Sequence, residues 1–534
     1  MRRSGSLARR CSKPEPTGQR QARTPSAPPP LDQARSRPSR RKRRQCAWPS
    51  AGKSNWQRLY SRTRKSLCRA RTLTSEKAIR RESRRIGEWH QRIEYGIRWH
   101  RVFSEQIAMK KRQFLLAAFA ACISCGSAPV YAAKQPNVIL ILADDVGYEA
   151  LGCYGGESYP TPHLDALAKG GLQAMHCYSM PVCHPTRVAV LTGRYPINVS
   201  SPKWGTFPAK LEKQTIAHAM KAAGYSTVVT GKWQLTLLRD DPPQPHRMGF
   251  DEYSVFGWHE GARYHEPMIY ENGRVNEAAR QQFGPDVYRE FIESFIDRSV
   301  KEEKPFFAFY SMALCHDVTD DLDKPVPVSP TGKYLSYAEM VAEMDRQVGL
   351  LTAFLEKKKL RDDTVVIFTT DNGTPSKMIS HHVNGKLIRV PVFSQLAGRR
   401  IQGGKGRLDD TGTRVPLIVN WPSVIEPGSR TDALIDMADF FPTSLQLAGA
   451  TVDQPTDGIS FLPVLHGKAS ERSWAYSEHR GKWWVRDQRY KLHHTGKFVE
   501  VSQKNPGKET ELTGKLTAVQ KQAKARLKAA RPHD

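Results

Sequence analysis

Apolar positions in this chain gather into short unbroken runs, and the runs end in charge. Residues 137–142 read Asn-Val-Ile-Leu-Ile-Leu and stop at Asp144-Asp145, the pattern of a parallel strand buried on both faces. Residues 226–230 lead into Gly231-Lys232-Trp233-Gln234, 305–312 into Cys315-His316-Asp317, and 364–370 into Asp371-Asn372-Gly373. A fifth run, 415–421, lies beside Lys405 and Arg414. Between these runs the period becomes helical: Leu164, Leu167 and Ala168 after a Thr161-Pro162 turn, then 216–223, then Met340, Met344, Val348, Leu351 and Leu355 across 337–360. Strand runs alternating with helices predict an α/β fold with a large, mostly parallel mixed sheet between helices. After residue 455 the pattern changes. Trp483–Arg486 and Arg489–Leu492 read as antiparallel strands, and a basic helix from about 513 to 530 presents Leu516, Val519, Ala523 and Leu527 to them. We therefore expect a catalytic domain over 134–455 and a smaller C-terminal antiparallel sheet plus helix over 456–534.

In open α/β sheets ligands bind outside the carboxyl ends of the strands, so polar groups at five strand ends imply one site. Asp144 and Asp145 repel each other unless a cation lies between them or water covers them, and a solvated turn before Gly147 is the alternative. With Asp371 and Asn372 they form a hard-oxygen set suited to Ca²⁺ or Mg²⁺ and poor for Zn²⁺. Cys183 precedes Pro185 and a breaker-free stretch up to Gly193, which predicts a helix with Pro185 near its first position. A thiol held there, with Arg187 one turn in, makes an anion site containing a nucleophile; a buried cysteine beside a capped helix is the plainer reading.

Charge narrows the function. The net charge of +29 suggests nucleic acid, but residues 1–108 alone carry +22, leaving +7 for the other 426 residues. That first segment, rich in Arg, Ser and Pro, reads as a disordered basic leader. It precedes Met109-Lys110-Lys111-Arg112, an apolar run from Phe114 to Ile123, and Val130-Tyr131-Ala132-Ala133. Residues 109–133 thus read as a secretory signal peptide with cleavage after Ala132, too short for a membrane span. We expect translation to start at Met109, residues 1–108 to be upstream sequence, and the product to be periplasmic or secreted, with no nucleic-acid partner. Of nine cysteines only Cys153, Cys177, Cys183 and Cys315 fall in the expected mature chain, and their spacing suggests neither a disulfide framework nor a zinc site.

The stretch Cys183-His184-Pro185-Thr186-Arg187, followed by Leu191-Thr192-Gly193-Arg194, resembles the signature of the type I, formylglycine-dependent sulfatases of the alkaline phosphatase superfamily. Gly231-Lys232-Trp233, Met248-Gly249-Phe250-Asp251, Gly403-Gly404-Lys405-Gly406, Asp439-Phe440-Phe441-Pro442-Thr443 and Asp457-Gly458 extend it in the family's order. The resemblance implies hydrolysis of a sulfate ester, on a sulfated carbohydrate for a secreted enzyme with an aromatic loop. It further implies that a separate maturation enzyme oxidises Cys183 to formylglycine, and that Ca²⁺ is held by Asp144, Asp145, Asp371 and Asn372. Arg187, Lys232 and Lys405 would meet the sulfate, and His316 would protonate the leaving alcohol.

The departures are specific. Thr186 stands where Ser is commoner, Asp410-Thr411-Gly412-Thr413-Arg414 where the family shows Glu-Gly-Gly-x-Arg, and Gln234 where it shows His. A carboxamide can orient a hydroxyl but cannot exchange a proton near neutral pH. His259 or His265, in the aromatic segment 256–265, could replace that imidazole or line the substrate pocket. Residues 374–402, with His381, His382, Arg399 and Arg400, read as an insertion without an assigned role. A thiol-based phosphatase, a phosphomonoester or phosphonate hydrolase on the same scaffold, and a sulfated-glycan binder without turnover stay open as alternatives.

Overall fold

The computed structural model describes residues 135–532 except 258, 318–333, 385, 452 and 503–507. The basic leader and the signal peptide lie outside the described residues, as does Trp258 of the aromatic segment.

In chain order the strands are β1 (Asn137–Ala143), β2 (Leu172–Tyr178), β3 (Ser226–Lys232), β4 (Glu252–Phe256), β5 (Tyr270–Glu271), β6 (Arg274–Val275), β7 (Phe306–Ser311) and β8 (Thr364–Thr370). Two hairpins follow, β9 (Lys377–Val383) with β10 (Lys386–Pro391) and β11 (Phe393–Leu396) with β12 (Arg399–Gln402), and then β13 (Arg414–Asn420) and β14 (Ser429–Asp436). Ten of these form one sheet in the order β14-β2-β13-β8-β1-β7-β3-β4-β5-β6. All pairings from β8 to β4 are parallel, whereas β13 runs antiparallel to both its neighbours.

The central strands are apolar throughout because both their faces are covered. Along β1, Ile139, Ile141 and Ala143 join one buried cluster while Val138, Leu140 and Leu142 join the other, the period of two expected of a pleated strand. Helices α1 (Pro162–Lys169), α4 (Gly284–Lys301) and α5 (Tyr337–Lys357) cover the first face; α2 (Cys183–Thr192), α3 (Ile216–Ala222) and α6 (Phe440–Leu447) cover the second. The five predicted apolar positions of α5 are all buried, each contributing about 1.5–3 kcal/mol by removal from water. A Ser336–Glu339 capping box fixes where this helix begins.

A five-stranded antiparallel sheet follows, β15 (Ala475–His479), β16 (Lys482–Arg486), β17 (Tyr490–His493), β18 (Phe498–Val501) and β19 (Glu509–Glu511), with helix α7 (Ala518–Ala529) against it. Ala523 and Leu527 are buried there, but Val519, on the same i, i+4 stripe in the first turn of the helix, is 63% exposed. The helix expected to open at Pro185 opens two residues earlier, at Cys183, with Val182 as its N-cap.

Candidate active site

Sheet register sets the site. Ala143 lies opposite Thr370, and both Leu142 and Gly231 lie opposite Ser311, so Asp144, Asp371, Lys232 and Ser311 come level at one edge. The antiparallel β13 starts at this edge while its neighbours end there, which explains how Arg414 belongs to the same end of the sheet. Gly231 has φ +92°, and a Cβ there would lie 2.0 Å from the Ser311 carbonyl oxygen; only glycine lets β3 pass β7 this closely and deliver Lys232. Asp145 adopts a left-handed φ of +61°, which Asp tolerates better than most residues.

The side chains converge as the strand ends predict. Lys232 Nζ donates to Asp144 Oδ2 at 2.5 Å, with both side chains fully buried. Lys405 Nζ sits 2.6 and 2.7 Å from the two Asp145 oxygens. Asn372 Nδ2 donates to Asp145 Oδ1 at 2.7 Å. Arg187 grips Asp371 Oδ2 through Nε at 3.1 Å and Nη2 at 2.7 Å, and its Nη1 donates to Ser311 Oγ. Cys183, the first residue of α2, is fully buried, and a sulfur or oxygen atom each from Cys183, Asp144 and Asp371 lies within 4.8 Å of the others. His316 Nε2 faces Asp145 Oδ2 at 3.9 Å. Its Nδ1 lies 2.9 Å from the Asp317 carbonyl oxygen, which can only accept, and 3.4 Å from Arg263 Nη1, which can only donate; the shorter contact favours the proton on Nδ1.

Two loops are locked around this cluster. Thr186 Oγ1 donates back to the carbonyls of Met180 and Val182 at 3.3 and 3.2 Å, a task Ser could also perform. Gly406 N donates to the Pro181 carbonyl at 2.7 Å, tying the Lys405 loop to the cysteine loop.

Three buried carboxylates, Asp144, Asp145 and Asp371, face three cations, Lys232, Lys405 and Arg187. Burial pushes the Asp145 and Asp371 carboxyls up, Asp371 to about 7, despite Lys405 beside the first and Arg187 beside the second; repulsion from Asp144 adds to both shifts. Burial pushes Asp144 the same way, but Lys232, His316, Arg187 and Lys405 outweigh it and hold this carboxyl well below its usual range. Buried Asp144 Oδ1 and Asn372 Oδ1 have no hydrogen-bond partner. Two unpartnered hard oxygens among crowded carboxylates fit a divalent cation. Burial also pushes the Cys183 thiol up, whereas a thiolate phosphatase needs the reverse. His316 is held well below its usual range by burial and then by Lys405.

Other expectations fare differently. Gln234 is fully buried, and neither its Oε1 nor its Nε2 has a partner. His265 packs on Phe283 with ring centroids 4.8 Å apart, and His259 occupies an exposed turn at φ +58°; the side chain from this segment that approaches the His316 ring is Arg263, 3.4 Å from its Nδ1, while Tyr264 donates to the His316 carbonyl at 2.5 Å. Arg414 donates to the Met175 carbonyl, and Asp410 pairs with Lys491 at 3.0 Å from the C-terminal sheet, so this stretch braces the site without entering the cluster. All four cysteines of the expected mature chain are free thiols. Among the described residues no helix is long and apolar enough to cross a membrane.

Sequence reasoning missed Ser311, whose Oγ donates to the Lys232 carbonyl at 2.7 Å while accepting from Arg187; one hydroxyl inside an apolar run gives no signal. It also missed Arg263, held 5.0 Å over the Phe256 ring, and Tyr337, whose hydroxyl donates to the Asp145 carbonyl at 3.0 Å.

Comparison with known proteins agrees with this geometry. The sulfatase family model matches residues 136–450, and that of the N-sulphoglucosamine sulphohydrolase C-terminal region matches 405–528. The chain is 30% identical to arylsulfatase A of Homo sapiens over 397 residues, covering 68% of this chain and 75% of that protein. It is also 30% identical to N-acetylgalactosamine-6-sulfatase of Canis lupus familiaris, covering 66% of this chain and 70% of that one. The crystal structure of Ps i-CgsB superposes with a TM-score of 0.56 at 25% identity, over 70% of this chain and 88% of the other. With a family match across more than half its length and a charged, cysteine-bearing cluster at the sheet edge, this chain belongs to the sulfatase family of sulfuric ester hydrolases.

Proposed function

We propose that this chain removes sulfate from a sulfated carbohydrate, using formylglycine made from Cys183 by a separate maturation enzyme and Ca²⁺ held by Asp144, Asp145, Asp371 and Asn372. One observation carries the reading: Cys183 shares a buried 4.8 Å cluster with Asp144 and Asp371, while Lys232, Arg187 and Lys405 each reach a carboxylate of the same site. The carbohydrate is supported by the relatives named N-acetylgalactosamine-6-sulfatase and by the C-terminal match to an N-sulphoglucosamine sulphohydrolase. The expected leader at 109–133 would place the enzyme in the periplasm or outside the cell.

Exposure orders the roles. The Lys232 and Asp144 side chains are fully buried and form the floor, whereas Lys405 and His316 are 21% and 12% exposed and stand at the mouth. Formylglycine supplies an oxygen nucleophile where a buried, neutral thiol would be a poor one. When bound, Ca²⁺ polarises a sulfate oxygen and offsets its charge. Arg187, already positioned by Asp371 and Ser311, and Lys232 receive the inner oxygens; Lys405 receives an outer one. His316 holds its proton on Nδ1 against the Asp317 carbonyl, leaving Nε2 to face the leaving alcohol. The negative charge of bound sulfate offsets Lys405 and Lys232, two of the cations that keep the imidazole neutral, so the ring can take up the proton it delivers.

The test is peptide mass spectrometry on the segment containing Cys183, after secretion from a host with the maturation enzyme, beside sulfate release from a sulfated amino sugar. Conversion of thiol to aldehyde together with sulfate release is the expected result. Faster turnover of the matching phosphate ester would move the assignment to a phosphomonoester hydrolase. A second reading, a glycan binder without turnover, is favoured by Gln234 alone; tight binding of the sulfated sugar without sulfate release would establish it.

A further inference from the structure

Between Asn372 and Lys405, two residues of the site, the chain leaves the sheet and returns. Its base is closed by hydrogen bonds from Lys405 N to the Thr374 carbonyl at 2.9 Å, from Val392 N to Ser376 at 3.2 Å and from Gly403 N to Val392 at 3.1 Å. What rises from this base is the β9–β10 hairpin. It is also docked onto the loop carrying His316, because Ile379 N donates to Asp317 Oδ2 at 3.3 Å. Burial and Asp145 push the Asp317 carboxyl up to about 6, and Arg389 on β10 is near enough, with Lys405, to oppose that rise. The hairpin therefore stands at the mouth, on the side of His316 and Lys405.

Its chemistry is one-sided. From residue 372 through 408 the sequence contains no Asp or Glu, while Lys377, Lys386, Arg389, Arg399, Arg400, Lys405 and Arg407 all fall within it. On the hairpin, Lys377, Lys386 and Arg389 are exposed, as are His381 and His382. Among the described residues Lys377 and Lys386 pair with no carboxylate. Intramolecular ion pairing with the described residues does not account for these two lysines, and a fold-stabilising hairpin would not need them.

We propose that the β9–β10 hairpin is an arm that reads the anionic groups flanking the ester being cleaved, so that the substrate is a multiply charged oligosaccharide and not a small monosulfate. This rests on the sulfatase reading above. With about 3.3 Å per residue, the strand from Lys377 to the hairpin tip spans about 20 Å, enough to follow several sugar units. Spaced cations along an exposed ribbon select for repeated sulfate or carboxylate groups through charge complementarity.

The test compares the mature wild type with the Lys377→Ala/Lys386→Ala variant, using a dextran sulfate oligosaccharide for calorimetric binding and 4-nitrophenyl sulfate for turnover. We expect the variant to bind the polysulfated probe about 2- to 30-fold more weakly, two exposed charge contacts each being modest, with the difference shrinking as salt rises. Hydrolysis of 4-nitrophenyl sulfate and the melting temperature should not move. Unchanged affinity, or equal loss on both probes, overturns the proposal. So does a change in sedimentation, which would make the hairpin, with exposed Val383, Ile388 and Val390, a contact between two copies. Wild-type protein that binds the oligosaccharide but releases sulfate from neither it nor 4-nitrophenyl sulfate would instead count against the sulfatase reading, leaving the arm standing.

Discussion

Among the described residues, two clusters of acidic side chains are buried, one around Asp144, Asp145 and Asp371, the other around Asp436 and Asp439. In the second, every carboxylate oxygen has a partner. Asp436 accepts from the Tyr195 hydroxyl at 2.6 Å and from Ala438 N at 3.1 Å, and Asp439 from Asp436 N at 3.0 Å and Ile459 N at 2.7 Å. Arg472 lies 3.0 Å from Asp436 and also donates to Asp439. Backbone N–H groups and one arginine close that cluster, and it joins the segment after the large sheet to the end of β14. In the first cluster the partners are two lysines and a bidentate Arg187, and Asp144 Oδ1 and Asn372 Oδ1 are unpartnered. Saturated acidic burial is structural; unsaturated acidic burial is a site waiting to do chemistry.

The comparison can be broken by substitution. Cys183→Ala should remove sulfate-ester turnover by at least about 10³-fold while leaving the melting temperature near the wild-type value, since the site cluster contributes little to the fold; a large drop in melting temperature would show that it does. Arg472→Ala should do the opposite, costing about 3–5 kcal/mol of stability because two buried carboxylates lose their cation. Urea denaturation reads this, and an effect under about 1 kcal/mol would dissolve the distinction.

Chelation sharpens it next. Adding Ca²⁺ at 100 times its dissociation constant to chelator-treated protein should stabilise by about 2.7 kcal/mol, read as a rise in melting temperature that Asp371→Asn abolishes and Arg472→Lys retains. Per pH unit, the smallest effect is acid sensitivity beside the site. Burial pushes His184 down to about 4, below its ordinary 6.5, so its contribution is fully present above pH 6.5. As pH falls from 6.5 to about 4 the unfolded chain gains a proton that the folded chain refuses, and stability falls by at most about 1.4 kcal/mol per pH unit. His184→Gln should flatten that limb of the stability profile.

How far the sequence reached depends on what covers each element. The core strands β1, β3, β7, β8 and β13 are apolar at consecutive positions because helices or neighbouring strands cover both faces, so pattern alone located them and the charges at their ends. Strand β2 escaped notice because Gln173 and His176 interrupt it. Both are buried all the same: Gln173 Nε2 donates to the Cys153 carbonyl at 2.7 Å, and β13 and β14 flank the strand. Helix α4 and the two hairpins of 377–402 were also unread, the hairpins because exposed strands carry no apolar run. In the site, the residues with charge at strand ends were legible. Ser311 and Tyr337 were not, since a hydroxyl announces nothing until register sets it beside a lysine or an aspartate carbonyl. The aromatic segment was read for its histidines, but the group the fold turns toward His316 is Arg263, seated on Phe256.

The closed base of the 374–404 excursion has a consequence for how such enzymes diversify. The polypeptide exits after Asn372 and re-enters before Lys405 at nearly the same spot, and Met378, Ile379, Val392 and Leu396 anchor the base in the core, so the part free to vary is the exposed outer half of the β9–β10 hairpin. Loop closure penalises added length only logarithmically, so segments of different size and charge can be exchanged at this socket while β8 and β13 keep their register. A designer wishing to redirect the enzyme to another sulfate ester would leave the sheet edge and these buried anchors untouched and rewrite residues 381–390.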